Sequence, residues 1–247
     1  MNNTQSINRT NNSTLSAGKT ALSSVSLIIP AYNDEETVGR LIDDADTLLS
    51  QVCSDYEIVL VNDGSKDRTL SVIQSRVDTN PRVRLINHEH NKGFGYTIRE
   101  LYLAGNKELI FSLPGDYQYA PKEILQMAKG LRDHDFVIGL RVNRNDPFRR
   151  KMQSRVYNLM LRTFYGHKHK DVNSIKLFRR SILDKIELLS YSPFVDAELC
   201  IRAERAGFRV IEIPIEHLPR MTQGASGGKF SVIWETFSDL FKMRSSF

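Results

Sequence analysis

Beyond residue 24 the chain alternates two hydrophobic rhythms. Short, nearly continuous apolar runs, several rich in β-branched residues, recur at 25–29, 56–61, 83–86, 108–112, 136–139 and 209–213. Runs of this kind predict strands covered on both faces. Between them, 35–50, 67–78, 94–105, 121–132 and 196–206 read as helices. This βαβα rhythm predicts an α/β domain with a mainly parallel, Rossmann-like sheet. Right-handed crossovers then place helices on both faces. Residues 1–24 break the pattern, because 14 of them are Asn, Ser or Thr and almost none are large and apolar. They predict a disordered tail. Within it, Ala17-Gly18-Lys19-Thr20 resembles the end of a phosphate-binding loop. Ser13 stands where the upstream glycine belongs and no strand precedes it, so that reading is set aside.

The 247 residues are 40% hydrophobic and 26% charged, ordinary for a globular chain with a real core. No apolar run approaches the roughly 20 residues of a transmembrane helix, and no apolar leader opens the chain. These features predict a cytoplasmic location. Cys53 and Cys200, both expected in apolar helical settings, predict buried thiols rather than a disulfide. Charge is unevenly spread. Residues 141–170 hold nine Arg or Lys (Arg141, Arg144, Arg149, Arg150, Lys151, Arg155, Arg162, Lys168, Lys170) against Asp146 alone. That local +8 exceeds the +5 of the whole chain, leaving the rest near −3. The excess predicts an anionic partner, unless it is only a solvated face. Nucleic acid is disfavoured as that partner, since neither a helix-turn-helix nor a stacking-aromatic sheet pattern is present. His88 with His90, and His167 with His169, lack the cysteines of a zinc site.

Ligands of parallel α/β sheets sit at the carboxyl ends of the strands. The first predicted strand is followed by Pro30-Ala31-Tyr32-Asn33-Asp34-Glu35-Glu36. There Asn33 and Glu36 have the spacing of a capping box, and a loop opening a helix also suits an anion. The second is followed by Asn62-Asp63-Gly64-Ser65, with Asp63 expected to be free to accept hydrogen bonds from a base or ribose. The third is followed by Asn91-Lys92-Gly93-Phe94-Gly95, two glycines and a cation at a helix start. The fourth is followed by Pro114-Gly115-Asp116-Tyr117-Gln118, a single acid and an amide.

Each loop alone is weak. Together, LIIPAYNDEETV, VLVNDGSKDRT, HNKGFGYTIR and PGDYQYAPKEI closely resemble the family 2 glycosyltransferases of GT-A fold. Downstream, GLR at 139–141, DVNSIKLFRRSIL, DAELCIRAERAGFRVIEIPI and RMTQGASGGK resemble the polyprenol-phosphate branch, of the dolichol-phosphate mannosyltransferase kind. The resemblance implies one GT-A domain over 25–247, with a nucleotide-binding half at 25–115 and an acceptor half at 116–247 that ends in a helix. It implies that Pro30, Tyr32, Asp34, Asp63 and Lys92 hold a nucleotide sugar. It also implies that Asp116, with Gln118, approaches a Mg²⁺ or Mn²⁺ on the donor diphosphate, and that Arg141, Arg155, Arg220 and Lys229 line the phosphates of donor and acceptor. Asp116 and Arg141 would carry the catalysis.

Three positions depart from the family pattern. Pro114 replaces the first metal-site acid, Asn62 the first of two acids at the second strand end, and Gly227 the usual lysine, for which Lys229 is the substitute. The implied reaction is inverting transfer of a GDP- or UDP-linked sugar to a polyprenyl or dolichyl phosphate. A phosphate acceptor is already largely a dianion at neutral pH and needs no strong base. The alternatives are transfer to a sugar hydroxyl, for which Asp196 or Glu198 would be the base, and a weak, merely binding homologue. The two acids equally suit a helix N-terminus.

A lipid acceptor predicts docking on the inner face of an anionic membrane, directly or through a separate membrane-anchoring subunit. Met152, Val156, Leu159, Met160 and Phe164 recur at helical spacing among arginines, the pattern of an interfacial helix. Phe230, Ile233, Trp234, Phe237 and Phe241 form a second stripe. Core packing explains either stripe equally well.

Overall fold

The computed structural model describes residues 22–142, 148–219 and 230–243, with the side chains of 148–151 and 230–234 outside the description. Seven strands form one sheet: β1 Leu22–Ala31, β2 Cys53–Asp63, β3 Val83–His88, β4 Leu109–Ser112, β5 Phe136–Arg141, β6 Lys176–Arg179 and β7 Val210–Ile215. Their order is β3-β2-β1-β4-β6-β5-β7. All neighbours are parallel except β6, which runs antiparallel to both β4 and β5. The helices are α1 Val38–Val52, α2 Thr69–Val77, α3 Phe94–Ala104, α4 Glu123–Ala128, α5 Phe148–Tyr165, α6 Val195–Arg205 and α7 Phe230–Lys242.

The strand alternation sorts the core into two layers. Leu27 and Ile29 of β1, with Ile58 and Leu60 of β2, pack under α1, α2 and α4. Ile28, Val59 and Val61 point the other way, under α3 and α6. A third cluster joins α5, α6 and α7 through Leu161, Tyr165, Phe194, Ile201 and Leu240. A single sheet flanked by helices is therefore the α/β architecture that the rhythm of the chain predicts.

Several expectations need correction. β1 begins at Leu22, so the last residues of the expected tail are strand. Leu22 pairs with Cys53 and Ser24 with Asp55, and cross-strand pairing outweighs a polar composition. Residues 1–21 of that tail lie outside the described residues. Cys53 opens β2 and is half-buried rather than helical, whereas Cys200 is buried in α6; both are free thiols. Burial, with Asp55 adding to it, pushes the Cys53 thiol up to about 11. β6 was not anticipated. It is four residues long, with a lysine at its first position. The helix expected over 121–132 is the short α4 followed by a 3-10 turn at Gly130–Arg132.

The capping box does not form. Asn33 is left-handed, with φ 56°, and α1 starts only at Val38. The Asp34 carbonyl instead accepts from the N–H groups of Thr37 (3.0 Å) and Val38 (2.9 Å). The stripe expected on α5 also divides. Tyr157, Leu161 and Tyr165 are the buried face, Met160 and Phe164 are half-buried, and Met152, Val156 and Leu159 are exposed.

Candidate active site

The chain runs β1, β2, β3 toward one edge and then returns to β4 on the other side of β1. The carboxyl ends of β1 and β4 therefore bound the crevice where such sheets bind ligands. β4's parallel ladder with β1 carries past the strand ends: Leu113 N–H donates to Ile28 O (3.0 Å) and Gly115 N–H to Pro30 O (3.1 Å). Thr37 Oγ1 donates to Gly115 O at 2.8 Å. Gly115 allows this close approach: a Cβ there would stand 2.7 Å from Asp34 Oδ2 and 3.1 Å from Pro30 O, so the neighbours would have to shift. Two acids, Asp34 and Asp116, both buried, thus flank one glycine.

The β1 loop is laced to the β2 loop. Asn33 N–H donates to Ser65 Oγ (3.0 Å), and Lys66 N–H donates to Asn33 Oδ1 (2.8 Å). Asp34 N–H donates to Thr69 Oγ1 (2.8 Å), and Glu35 Oε2 accepts from Arg68 N–H (2.9 Å). Asp34 Oδ2 turns back to accept from Tyr32 N–H at 3.0 Å. Pro30, Tyr32 and Asp34 thus share one rigid loop.

Asp63 differs from expectation. Its carboxylate accepts from the backbone N–H of Lys92 (2.8 Å) and Gly93 (3.0 Å) and meets His88 Nδ1 at 2.8 Å. His88 in turn meets Glu100 through Nε2 at 2.6 Å. Far from being free, Asp63 shapes the β3–α3 loop. Beside it, Asn62 Nδ2 donates to Asn87 Oδ1 at 2.6 Å. Asn62 is buried, and its Oδ1 has no hydrogen-bond partner among the described residues. The strand-end amide, rather than the acid after it, is the group left with hydrogen-bonding capacity. The Lys92 ammonium lies over the Tyr96 ring, 4.5 Å from its centroid.

Asp116 Oδ1 accepts from the backbone N–H of Gln118 at 3.2 Å, closing a turn. Gln118 O accepts from Leu218 N–H (2.9 Å), tying this loop to the segment after β7. Tyr117, at φ 56°, turns its side chain away to Asp44 of α1. Tyr119 is buried beside charged groups. Burial pushes its hydroxyl up; Arg141 and Ser174 pull against this, while Asp171 and Asp116 add to it. His217 meets the Tyr119 ring edge-on at 5.2 Å.

Arg141 ends β5 and is clasped by Asp171. Its backbone N–H (3.1 Å) and Nε (2.8 Å) donate to Asp171 Oδ2, and Nη2 donates to Oδ1. This fork holds the guanidinium in one orientation. Asp171 and Tyr119 stand within the quoted motifs but drew no notice as site residues. Nothing local marks Asp171, because its partner lies on another strand. Arg155 is exposed on α5. Arg220 and Lys229 lie outside the described residues.

Asp196 and Glu198 stand in the first turn of α6, and both are buried. Asp196 Oδ1 meets Lys176 Nζ at 2.9 Å and accepts from Tyr102 Oη at 2.6 Å. Glu198 accepts from the N–H of Leu189 and Ser190 (2.9 Å each) and from Arg202 Nε (2.8 Å). Both acids are thus engaged by neighbouring side chains or backbone amides of the fold.

Oxygen ligands at Asp116 and Gln118 suit a hard divalent cation that takes its remaining ligands from phosphates and water. Among the described residues no three His, Cys, Asp or Glu side chains cluster to hold a metal ion.

Comparison with known proteins bears on the family and the fold. The pattern of Glycosyl transferase family 2 matches residues 26–187. The undecaprenyl-phosphate 4-deoxy-4-formamido-L-arabinose transferase of Enterobacter sp. (strain 638) is 30% identical over 207 residues, covering 81% of this chain and 61% of its own length. The protein of the same name from Photorhabdus laumondii subsp. laumondii is 30% identical over 200 residues, covering 79% and 60%. The chain thus spans about 60% of the length of these curated relatives. Among solved structures, glucosyl-3-phosphoglycerate synthase from Mycobacterium tuberculosis with phosphoglyceric acid superposes with a TM-score of 0.71 at 16% identity, over 92% of this chain and 82% of that one. The same enzyme with Mn²⁺, uridine diphosphate and glucosyl-3-phosphoglycerate gives 0.70 at 15%, over the same shares. At these identities the likeness is one of fold, in line with the expected GT-A architecture.

Proposed function

The chain belongs to glycosyl transferase family 2, and on that premise we propose that it moves a sugar, with inversion, from a nucleotide-sugar donor to a polyprenyl phosphate. The donor lies in the β1/β4 crevice, with the nucleoside against the loops of Pro30, Tyr32, Asp34 and Asp63 and beside Lys92. The nucleotide-binding half is 25–115 and the acceptor half is 116–247. Asp116 and Gln118 would hold a Mg²⁺ or Mn²⁺, which supplies charge to the donor diphosphate when bound.

The chain's own residues account for the rest. An oxygen of the acceptor phosphate attacks the anomeric carbon, and the bond from that carbon to the nucleoside diphosphate breaks, its electron pair leaving with the diphosphate. No proton moves, because the phosphate is already largely dianionic. What the step needs is cationic charge between two phosphate groups. Arg141, held in orientation by Asp171, supplies it at the end of β5, with Arg155, Arg220 and Lys229 as further phosphate ligands.

One observation favours a phosphate acceptor over a sugar hydroxyl. The two acids that would serve as base, Asp196 and Glu198, are buried and bonded to Lys176, Tyr102, Arg202 and backbone amides. The names of the two curated relatives point the same way. The test mixes purified protein, Mn²⁺, labelled nucleotide sugars and an undecaprenyl or dolichyl phosphate. Labelled lipid is expected with at least one donor. Absence of transfer to lipid with every common GDP- and UDP-sugar, alongside transfer to a sugar hydroxyl, would overturn the reading.

The lipid acceptor brings the protein to an anionic membrane surface on the cytoplasmic side. No helix among the described residues is long and apolar enough to cross a membrane. α5 offers an interfacial face instead: Met152, Val156 and Leu159 are exposed, beside the exposed Arg155 and Arg162. Phe241 of α7 is also exposed, its ring 5.2 Å from that of Phe164.

A further inference from the structure

The Arg141–Asp171 clasp has an outer support on the edge strand. Glu212 of β7 places one oxygen, Oε1, between two successive backbone amides, accepting from Lys170 N–H at 2.6 Å and Asp171 N–H at 2.9 Å. Its other oxygen, Oε2, lies 3.9 Å from His169 Nδ1. The Glu212 side chain is only 14% exposed, so these bonds are largely shielded from water. The segment before Asp171 is held from a second side. Glu204 of α6 meets His169 Nε2 at 2.9 Å and His167 Nδ1 at 3.0 Å. The connection from α5 to β6 thus has no strand or helix of its own at 167–171, yet two carboxylates from neighbouring elements hold it.

The consequence falls on Arg141. Asp171 orients the guanidinium through both carboxylate oxygens, but it can do so only if its own backbone is fixed. Residues 167–171 are irregular; the Asp171 carbonyl accepts from Ser174 N–H at 3.0 Å and the Lys170 carbonyl from Asn158 Nδ2 at 2.8 Å, but the amide sides of both residues go to Glu212. The two amides that Glu212 caps are those of Asp171 and its predecessor. A cation that must meet phosphates loses much of its effect when misplaced by about 1 Å.

We propose that Glu212 is a positioning residue for Arg141, acting through the backbone of Asp171. The proposal rests on the reading of Arg141 as a phosphate-binding group. It makes a specific demand on chemistry: Glu212 matters for the reach and acceptor capacity of one oxygen, not for its charge. A glutamine keeps that oxygen, and a carbonyl oxygen accepts two hydrogen bonds. An aspartate keeps the charge but withdraws the oxygen by about 1.5 Å, one carbon–carbon bond.

The experiment titrates the full chain with Mn²⁺–UDP, Mn²⁺–GDP and a short-chain prenyl phosphate. Wild type is compared with Arg141→Ala, Glu212→Gln, Glu212→Asp, Glu212→Ala and the double variant Arg141→Ala/Glu212→Ala. The ligand most weakened by Arg141→Ala reports the clasp. For it, Glu212→Asp and Glu212→Ala should raise Kd about tenfold, as loss of an outer-shell partner commonly does. Glu212→Gln should stay within about threefold of wild type. In the Arg141→Ala background, Glu212→Ala should change Kd by less than about twofold, because coupled residues are non-additive. A purely structural role would give additive losses and would not separate Gln from Asp. If Arg141→Ala weakens a ligand but Glu212→Asp and Glu212→Ala do not, the positioning role is wrong and the reading of Arg141 stands. If Arg141→Ala weakens none of the three ligands, both fall. Should Glu212→Ala not fold, the contrast between Gln and Asp carries the same decision.

Discussion

Replacing Lys176 with methionine removes a cation from the middle of the sheet while keeping an apolar stem of similar volume. Lys176 is 1% exposed and its Nζ lies 2.9 Å from Asp196 Oδ1 and 2.9 Å from the Ser174 carbonyl. Asp196 is itself 4% exposed, and Tyr102 Oη donates to the same carboxylate oxygen at 2.6 Å. Without the ammonium, a buried carboxylate keeps neutral donors but loses its counter-charge. Breaking a buried pair from one side costs about 3–5 kcal/mol. For a domain of this size each kcal/mol lowers Tm by about 2–4 °C, so Lys176→Met should melt about 6–20 °C below wild type in calorimetry. Asp196→Asn should also destabilise, and the double variant should cost less than the two single losses together, by about 1 kcal/mol or more. The same cycle separates two roles for Asp196. A general base would cost about 10²–10⁴-fold in turnover without moving Tm. A structural partner of Lys176 moves Tm while the folded fraction retains transfer to lipid phosphate. A Tm for Lys176→Met within about 2 °C of wild type would rule out a buried ion pair at this site, and an Asp196→Asn protein that is fully stable yet inactive would rule out a structural role for Asp196.

Four further outcomes are expected. Asp116→Ala should abolish transfer with the fold intact by circular dichroism; and in wild type, calorimetric titration should show Mn²⁺ binding weakly alone and far more tightly with nucleotide, since one carboxylate and one amide make a thin site without phosphates. Tight metal binding without nucleotide would contradict this. Gly64 has φ 65°, and a Cβ there would stand 2.5 Å from Asn91 N and from His90 C, both backbone; Gly64→Ala should therefore cost at least about 2 kcal/mol in urea unfolding, strain and overpacking together. Glu204 is pushed up by burial, but hydrogen bonds and charge from His167 and His169 outweigh this and bring it from 4.5 down to about 2. A carboxyl lowered on folding contributes stability above its unfolded value that is lost as pH falls through the folded one, so Tm should decline between about pH 4.5 and 2, and Glu204→Gln should flatten that decline. Finally, the protein should float with anionic liposomes at low salt and be released by salt, and Leu159→Asp should weaken flotation without changing Tm; unchanged flotation in that variant would remove α5 from the membrane.

Much of the architecture was legible along the chain because it is local. Continuous β-branched runs too short for helices read as strands covered on both faces, so six of the seven strands and a mainly parallel sheet followed from periodicity, while the strand order did not. The strand-end loops were legible too, since left-handed turns and helix starts demand particular residues at particular offsets. What the chain alone could not decide are the pairings that bring distant segments together. β6 has only four residues, too few to show a period, and it becomes a strand because β4 and β5 leave it a slot between them. Its buried lysine is tolerable only beside Asp196 of α6. The apolar residues of α5 were visible, but which of them face the core depends on where α6 and α7 pack. Asp63 looked available until the β3–α3 loop filled its carboxylate. Asp171 and Glu212 looked ordinary until folding set them behind Arg141. Periodicity is a property of neighbours along the chain. A buried charge is settled by neighbours in space, whose partners only the folded chain supplies.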